Sequence, residues 1–249
     1  MSEAQKAIEA PAALPFLAPL PGESRTAEVA RQLEESIELG LLPTGSRLPS
    51  EGDLAEQMGV SAMTLREALA SLREQGLIVT RRGRGGGSFV QEQAGRRRSG
   101  ATALRGYSLN DLRDLLDHQG AIATAIARLA AERAGAEDLR RLHADNERFE
   151  GAANADARRR ADARFHVDLA VASHSSRLTG EEVRFQGELS GPLWLPRGAA
   201  ADPVAHAAGH AAILAALERR SPEAAGAAAE TAVRSGAEAL LTRRLELPE

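Results

Sequence analysis

The sequence predicts a mainly α chain in two parts: an N-terminal unit of three helices closed by a β-hairpin, then an all-α bundle. Three observations lead there. Ala, the best helix former, supplies about 50 of the 249 residues while aromatics make up only 3%, which predicts helices that meet through small side chains. From Ser24 onward, apolar residues recur at spacings of three and four, the mark of helix faces. The one clear interruption is a pair of short β-favouring runs on either side of a Gly-rich stretch, within residues 77–90.

Residues 1–22, rich in Ala and Pro with no sustained period, read as a flexible tail. The first unit is expected over 23–90. Val29, Leu33 and Ile37 mark the apolar face of a first helix that Gly40 and Pro43 end. Leu48-Pro49 is an extended pair, because a residue before Pro avoids the α region. Ser50 reads as the N-cap of a second helix, with Asp53 three residues on, the apolar face Leu54, Ala55 and Met58, and a stop at Gly59. Ser61 caps the third, whose apolar face is Leu65, Ala68, Leu69 and Leu72 and which ends at Gly76. Leu77–Thr80 and Ser88–Val90 then flank Arg81-Arg82-Gly83-Arg84-Gly85-Gly86-Gly87, a hairpin with a Gly-rich turn. Helix, helix, helix, hairpin is the order of a winged helix-turn-helix.

Residues 91–107, polar, basic and Gly-containing, read as a linker. The helical domain is expected over 108–245, with helices near 109–134, 137–151, 155–173, 179–190, 202–219 and 222–244. Gly135, Gly191-Pro192, the Pro196–Pro203 stretch and Ser221-Pro222 separate them. Trp194 and Tyr107 are expected to pack, and the loop Gly191–Asp202 to form a pocket wall.

Composition narrows the function. Cysteine is absent, which excludes disulfide scaffolds, Cys-ligated zinc and thiol catalysis and fits a reducing, cytoplasmic setting. No apolar run approaches the ~20 residues of a membrane helix. The apolar patch Ala10–Leu20 carries Pro11, Pro15 and Pro19 and no basic flank, unlike a signal peptide. All basic residues but Lys6 are Arg; this and the Ala excess are what a GC-rich coding sequence produces, so Arg usage by itself says nothing about phosphate. The distribution of charge says more. Residues 61–98 hold eight Arg against three Glu, a local +5, whereas 99–249 hold nineteen Arg against twenty-two acids, a local −3. One compact basic segment in an acidic chain points to a local polyanion contact.

In a helix-turn-helix, the start of the second motif helix meets base edges in the major groove. With Leu65, Leu69 and Leu72 turned to the core, the outward residues are Ala62, Met63 and Arg66, with Thr64 beside them. Arg66 suits guanine O6 and N7, and Ala62 and Met63 suit a thymine methyl. Ser50, Ser61 and Thr64 stand at helix starts, where hydroxyls and free N–H groups suit phosphates. Arg81, Arg82, Arg84 and Gly85 of the wing combine positive charge with close backbone approach, for a phosphate backbone or a minor groove. The wing glycines also satisfy plain turn chemistry. Gly85-Gly86-Gly87 is no nucleotide loop, since it joins two strands and lacks a following Lys-Ser/Thr. In the second part, Asp162 and His166 lie four apart on one helix face, and His210 lies on another helix, with His206 one turn earlier. Facing helices with a carboxylate and imidazoles can hold a divalent metal; by spacing alone, an Asp-x3-His pair is more commonly an ion pair or solvated.

Leu48-Pro49-Ser50-Glu51, Asp53-Leu54-Ala55, Gly59-Val60-Ser61, Leu65-Arg66-Glu67-Ala68-Leu69, Gly76-Leu77 and Gly85-Gly86-Gly87-Ser88-Phe89-Val90 resemble the DNA-binding domain of GntR-family transcriptional regulators. Gly52 and Ala62 stand where that family commonly has Arg, so the resemblance implies an altered operator, with Arg66 and the wing carrying more of the contact. Arg128–Arg133, Asp162-x2-Phe165-His166-x2-Leu169 and His210-x2-Ile213-Leu214-x-Ala216 resemble the FadR-type C-terminal domain, FCD. That resemblance implies a six- or seven-helix bundle with a small-molecule pocket, in many members built on a divalent metal such as zinc held by one Asp and three His, which helps bind a carboxylate effector. Asp162, His166 and His210 match three positions. The fourth His position is Ala232, and Gln119 and Ala123 replace the usual Arg and Glu. His206, His174 or water would supplement the three, or the pocket would work without metal.

The expectation is a cytoplasmic, homodimeric regulator that binds a palindromic double-stranded DNA operator and responds to a small-molecule effector, a carboxylate by the resemblance, with no membrane segment and no enzymatic activity. The alternatives are a metal-dependent helical enzyme, for which no nucleophile–base pair or two-metal carboxylate cluster is visible, and a small-molecule sensor that does not read DNA.

Overall fold

The computed structural model describes residues 25–83, 85–91, 100–194 and 201–247. The expected tail at 1–22, the wing residue Arg84 and residues 92–99 of the expected linker lie outside them. The chain divides between residues 96 and 97 into two compact units.

The first unit holds α1 (Arg25–Glu38), α2 (Glu51–Met58), α3 (Ala62–Glu74), β1 (Ile78–Arg81) and β2 (Gly87–Val90). Val29, Leu33 and Ile37 are buried, as their period requires, together with Leu54, Met58, Leu65, Leu69 and Leu72. Burying each Leu is worth roughly 1.5–3 kcal/mol, so three on one face fix the rotation of α3 about its axis. Ser50 caps α2, accepting from the Asp53 N–H at 3.2 Å and donating to the Asp53 carboxylate at 2.7 Å. Gly59, at φ 64°, closes it in the left-handed region that a Cβ disfavours. Ser61 caps α3 through the Thr64 N–H at 3.1 Å.

β1 and β2 pair antiparallel from Ile78↔Val90 to Arg81↔Gly87. At Gly86 an added Cβ would stand 2.5 Å from the Arg81 carbonyl oxygen, so the turn requires glycine there. The extended Leu48-Pro49 pair has a role its local sequence did not reveal. The Leu48 N–H donates to the Ser88 carbonyl at 2.8 Å, the Val90 N–H donates to the Ser46 carbonyl at 3.0 Å, and Arg47 bridges Phe89. This segment therefore runs along β2 as a third, strand-like edge.

The second unit comprises α4 (Gly100–Arg105), α5 (Leu109–Arg133), α6 (Ala136–Glu150), α7 (Ala155–Ala172), α8 (Ser176–Leu193), α9 (Pro203–Glu218) and α10 (Pro222–Glu246). The longest pairing is α5 with α10, and α6 lies along α7. The expected small-residue contacts are present: Ala127, Ala130, Ala131, Ala225 and Ala229 share one core with Phe165, Leu169, Ile213 and Leu217. α7 is buried around much of its circumference and carries Arg159, Asp162 and Asp168 into the interior. Among the described residues, no helix is long and apolar enough to cross a membrane.

Two features differ from the sequence reading. The linker expected at 91–107 contains α4, whose Leu104 is fully buried with Leu112, Leu116, Leu189 and Leu240. Six residues are too few to display a helical period, and the helix is held by this long-range burial. Gly191-Pro192, read as a break, lies inside α8, which begins at Ser176 and runs to Leu193. A proline so near the C-terminal end removes one backbone bond, and the Trp194 N–H still reaches the Ser190 carbonyl at 3.2 Å.

Asp145 on α6 and Asp168 on α7 are both buried, flanked by Arg148 and Arg164. Burial, with the Asp168 carboxylate as hydrogen-bond partner and like charge, pushes the Asp145 carboxyl up to about 7. The folded chain thus holds a proton that the unfolded chain, with a carboxyl pKa near ~3.9, releases. This contribution is complete below about pH 4 and is lost as pH rises towards 7. Asp145→Asn is expected to stabilise the second unit at pH 8, by on the order of 1–2 kcal/mol, and to flatten the loss between pH 4 and 7. Urea unfolding followed by the fluorescence of Trp194, the one tryptophan, measures both; an equal or lower midpoint at pH 8 would contradict it.

Candidate nucleic-acid surface and Asp–His centre

The Ser61 cap and the buried leucines of α3 leave Ala62, Met63 and Arg66 exposed, with Met63 at 68% and Thr64 half-buried. Arg66 pairs with Glu51 at the first turn of α2, Nε to Oε2 at 3.3 Å, and both stay largely exposed. The Ser50 and Ser61 hydroxyls are engaged in capping, and the Ser61 Oγ also lies 2.9 Å from the Thr64 Oγ1. In the wing, Arg81, Arg82 and Gly85 are exposed, and the Arg81 guanidinium lies over the Phe89 ring at 4.5 Å. Arg84 falls outside the described residues. Arg47 is a basic residue the sequence reading left out. Its side chain crosses Gly87, where an added Cβ would come within 2.8 Å of its Nε. The signal was there in Leu48-Pro49, but it became readable only once that segment was known to pair with β2.

The second constellation comes together inside the helical unit. Asp162 and His166 on α7 and His210 on α9 place donor atoms within 4.8 Å of one another. The Asp162 Oδ1 lies 3.3 Å from the His210 Nε2 and 3.9 Å from the His166 Nε2. The 3.3 Å approach is not aligned as a hydrogen bond, so Asp162 Oδ1 and His210 Nε2 are both buried without a partner. Burial pushes the Asp162 carboxyl up, but the neighbouring His210 and His166 outweigh it and hold the group well below the usual carboxylate range. Burial, opposed by Asp162, lowers His166. An ionised carboxylate and a neutral imidazole are the states that metal ligation needs.

Other side chains orient this set. The His210 Nδ1 lies 3.2 Å from the Asn146 Oδ1, to which it donates, leaving the Nε2 lone pair for the centre. Phe165 stacks on the His210 ring at 3.9 Å. The Trp194 Nε1 donates to the Asp162 Oδ2 at 3.0 Å, so Trp194 does more than the packing expected of it. Tyr107 also has a polar partner, donating to Glu188 at 2.8 Å. The centre opens on a cavity of about 50 Å³ lined by Gln119, Gln186, Ser190, His206 and Ala232. His174 is elsewhere, largely exposed and 3.7 Å from Asp138. The pocket wall expected at Gly191–Asp202 is described only at its ends, because residues 195–200 lie outside the described set.

Residues 25–87 match the family described as bacterial regulatory proteins, gntR family, and residues 114–235 match the FCD domain. Over 212 residues the chain is 40% identical to a putative HTH-type transcriptional regulator, RmpR, of Mycobacterium gastri, covering 83% of this chain and 76% of that one. It is 34% identical to a putative L-lactate dehydrogenase operon regulatory protein of Escherichia coli K12, covering 59% of this chain and 58% of that one. Among solved structures, E. coli McbR/YncC has the same fold at a TM-score of 0.51 and 20% identity, over 89% of this chain and 99% of that one.

Because the Ser61 hydroxyl satisfies an otherwise open N–H of α3, Ser61→Ala is expected to destabilise the first unit by about 1 kcal/mol, whatever its part in binding. Thermal unfolding checks this, and an unchanged midpoint would mean that the cap contributes nothing.

Proposed function

Because this chain belongs to the GntR family of bacterial regulatory proteins and carries an FCD domain, and so is a DNA-binding transcription regulator and not an enzyme, we propose how its two sites divide the work. α3 enters the major groove, with Arg66 donating to guanine and Ala62 and Met63 meeting apolar base edges. Ser50, Ser61 and Thr64 face phosphates. Arg81, Arg82, Arg84 and Gly85 follow the backbone or minor groove beside Arg47. The observation that carries this is the exposed start of α3, with Met63 and Arg66 outward in a segment otherwise folded onto leucines. A single α3 reads only a short half-site, so the regulator acts in the cytoplasm as a homodimer on a palindromic operator.

The helical domain takes a small-molecule effector at the Asp–His centre. The Asp162 Oδ1 and His210 Nε2, buried without a hydrogen-bond partner, fit a divalent cation, because polar atoms left unsatisfied are costly in an Ala- and Leu-rich interior. Asp162, His166 and His210 would hold it. Such a cation supplies open coordination positions to an effector carboxylate. Around it, Gln119, Gln186 and Ser190 give polar groups to the rest of the ligand. The effector acts on DNA affinity by binding one dimer arrangement better than another.

Arg66→Ala is expected to cost about 1–3 kcal/mol on the operator and to relax preference at one position per half-site. Arg82→Ala should weaken all sequences evenly and flatten the salt dependence. Selection from random DNA followed by affinity measurements at several salt concentrations tests both. Equal losses for Arg66→Ala on operator and random DNA would overturn the assignment. Metal analysis of protein purified without chelator tests the centre: bound metal lost in His166→Ala and His210→Ala supports it, and no bound metal would leave a metal-free pocket.

A further inference from the structure

Trp194 is nine-tenths buried, at the end of α8, in a cluster with Phe149 and Ala201. Packing alone would be served by any large apolar side chain. What distinguishes it is the indole N–H, a donor with no acceptor capacity, which is spent on one oxygen of a buried carboxylate, Asp162 Oδ2 at 3.0 Å. The other oxygen of the same carboxylate, Oδ1, faces His166 and His210 and has no hydrogen-bond partner. The two oxygens are therefore inequivalent, and Trp194 makes them so. The ring cannot easily turn away. Phe149 at 5.5 Å and His206 at 5.0 Å both pack against it in edge-to-face geometry.

We propose that Trp194 is a positioning residue for the metal centre, occupying Asp162 Oδ2 so that Asp162 offers a cation only Oδ1. This rests on the metal reading above. A carboxylate binds such ions through one oxygen or two. With Oδ2 engaged, the chain contributes three donor atoms, Oδ1 and two imidazole nitrogens, and not four. The coordination position that a second carboxylate oxygen would fill would be left for another ligand. Asn146 does the corresponding work for His210 by fixing which ring nitrogen carries the proton. Trp194 and Asn146 come from α8 and α6, so the centre is oriented by helices that contribute no ligand.

The test begins with wild-type protein and Zn(II) alone. The one tryptophan gives one indole N–H resonance, and Zn(II) titration should shift it, because its acceptor becomes a metal ligand. Trp194→Phe keeps a ring against Phe149 and removes only the donor. It should weaken Zn(II) binding about 10-fold or more, measured by competition with a chromogenic chelator, and should change the Co(II) visible spectrum as Asp162 gains a second coordinating oxygen. Ala201→Gly, which loosens the same cluster without touching the N–H, should leave the Co(II) spectrum unchanged. Zn(II) uptake with a stationary indole resonance would overturn the proposal without the variant having to fold. So would a Trp194→Phe protein with wild-type affinity and spectrum, or equal spectral changes in both variants. In each of those cases the metal reading survives. Absence of Zn(II) uptake by the wild type would instead overturn the metal reading and this inference together.

Discussion

One ionised carboxylate in an apolar interior organises the helical domain. Asp162 sits on α7 with almost no exposure, in a bundle whose core is mostly Ala and Leu. An unaided charge there would be prohibitive, and the groups that relieve it come from several directions. His166 is on the same helix, His210 comes from α9, and Trp194 from the end of α8, while Asn146 on α6 braces His210. The packing of the bundle and the chemistry of its centre are thus one problem. Small residues let the helices approach closely, and close approach brings polar side chains from four helices to one point.

The DNA-binding unit is solved by different means. It is small, and its aliphatic core fixes α3 by three leucines on one face. Hydroxyl caps begin α2 and α3, and the Ser46–Leu48 segment ties the loop before α2 to the wing. These restraints all act behind the surface, leaving the start of α3 and the tip of the wing to present Met63, Arg66 and Arg82 outward.

Most of this architecture was legible because it follows from local signals. Ser50, Gly59 and Ser61 mark helix ends by their own chemistry, and Val29, Leu33 and Ile37 mark a buried face by their spacing. The Asp162, His166 and His210 set was readable from i, i+4 placement and the resemblance, before any distance was known. What escaped reading was long-range. α4 is too short to carry a period and is held by leucines from α5, α8 and α10. Pro192 looks like a terminator, yet costs little one residue from the helix end. Trp194 gave no sign of an acceptor 32 residues away, and Arg47 gave none of its place against the wing. Sequence displays which faces are apolar and where helices begin; it does not display which polar atoms will be left needing one another.

The ion pair between Arg66 and Glu51 bears directly on the side chain proposed to read guanine. A long, exposed Arg side chain ordinarily samples many rotamers, and docking must quench that freedom. Here a carboxylate from the preceding helix already restrains it, at a contact of 3.3 Å that is weak enough to be exchanged. The same carboxylate puts negative charge beside the side chain proposed to read guanine, so in that reading a phosphate would be repelled, whereas a guanine edge would bring two acceptors without a full charge. On the proposed reading, Arg66 would thus be held in reserve on arbitrary DNA and released where a guanine edge replaces Glu51.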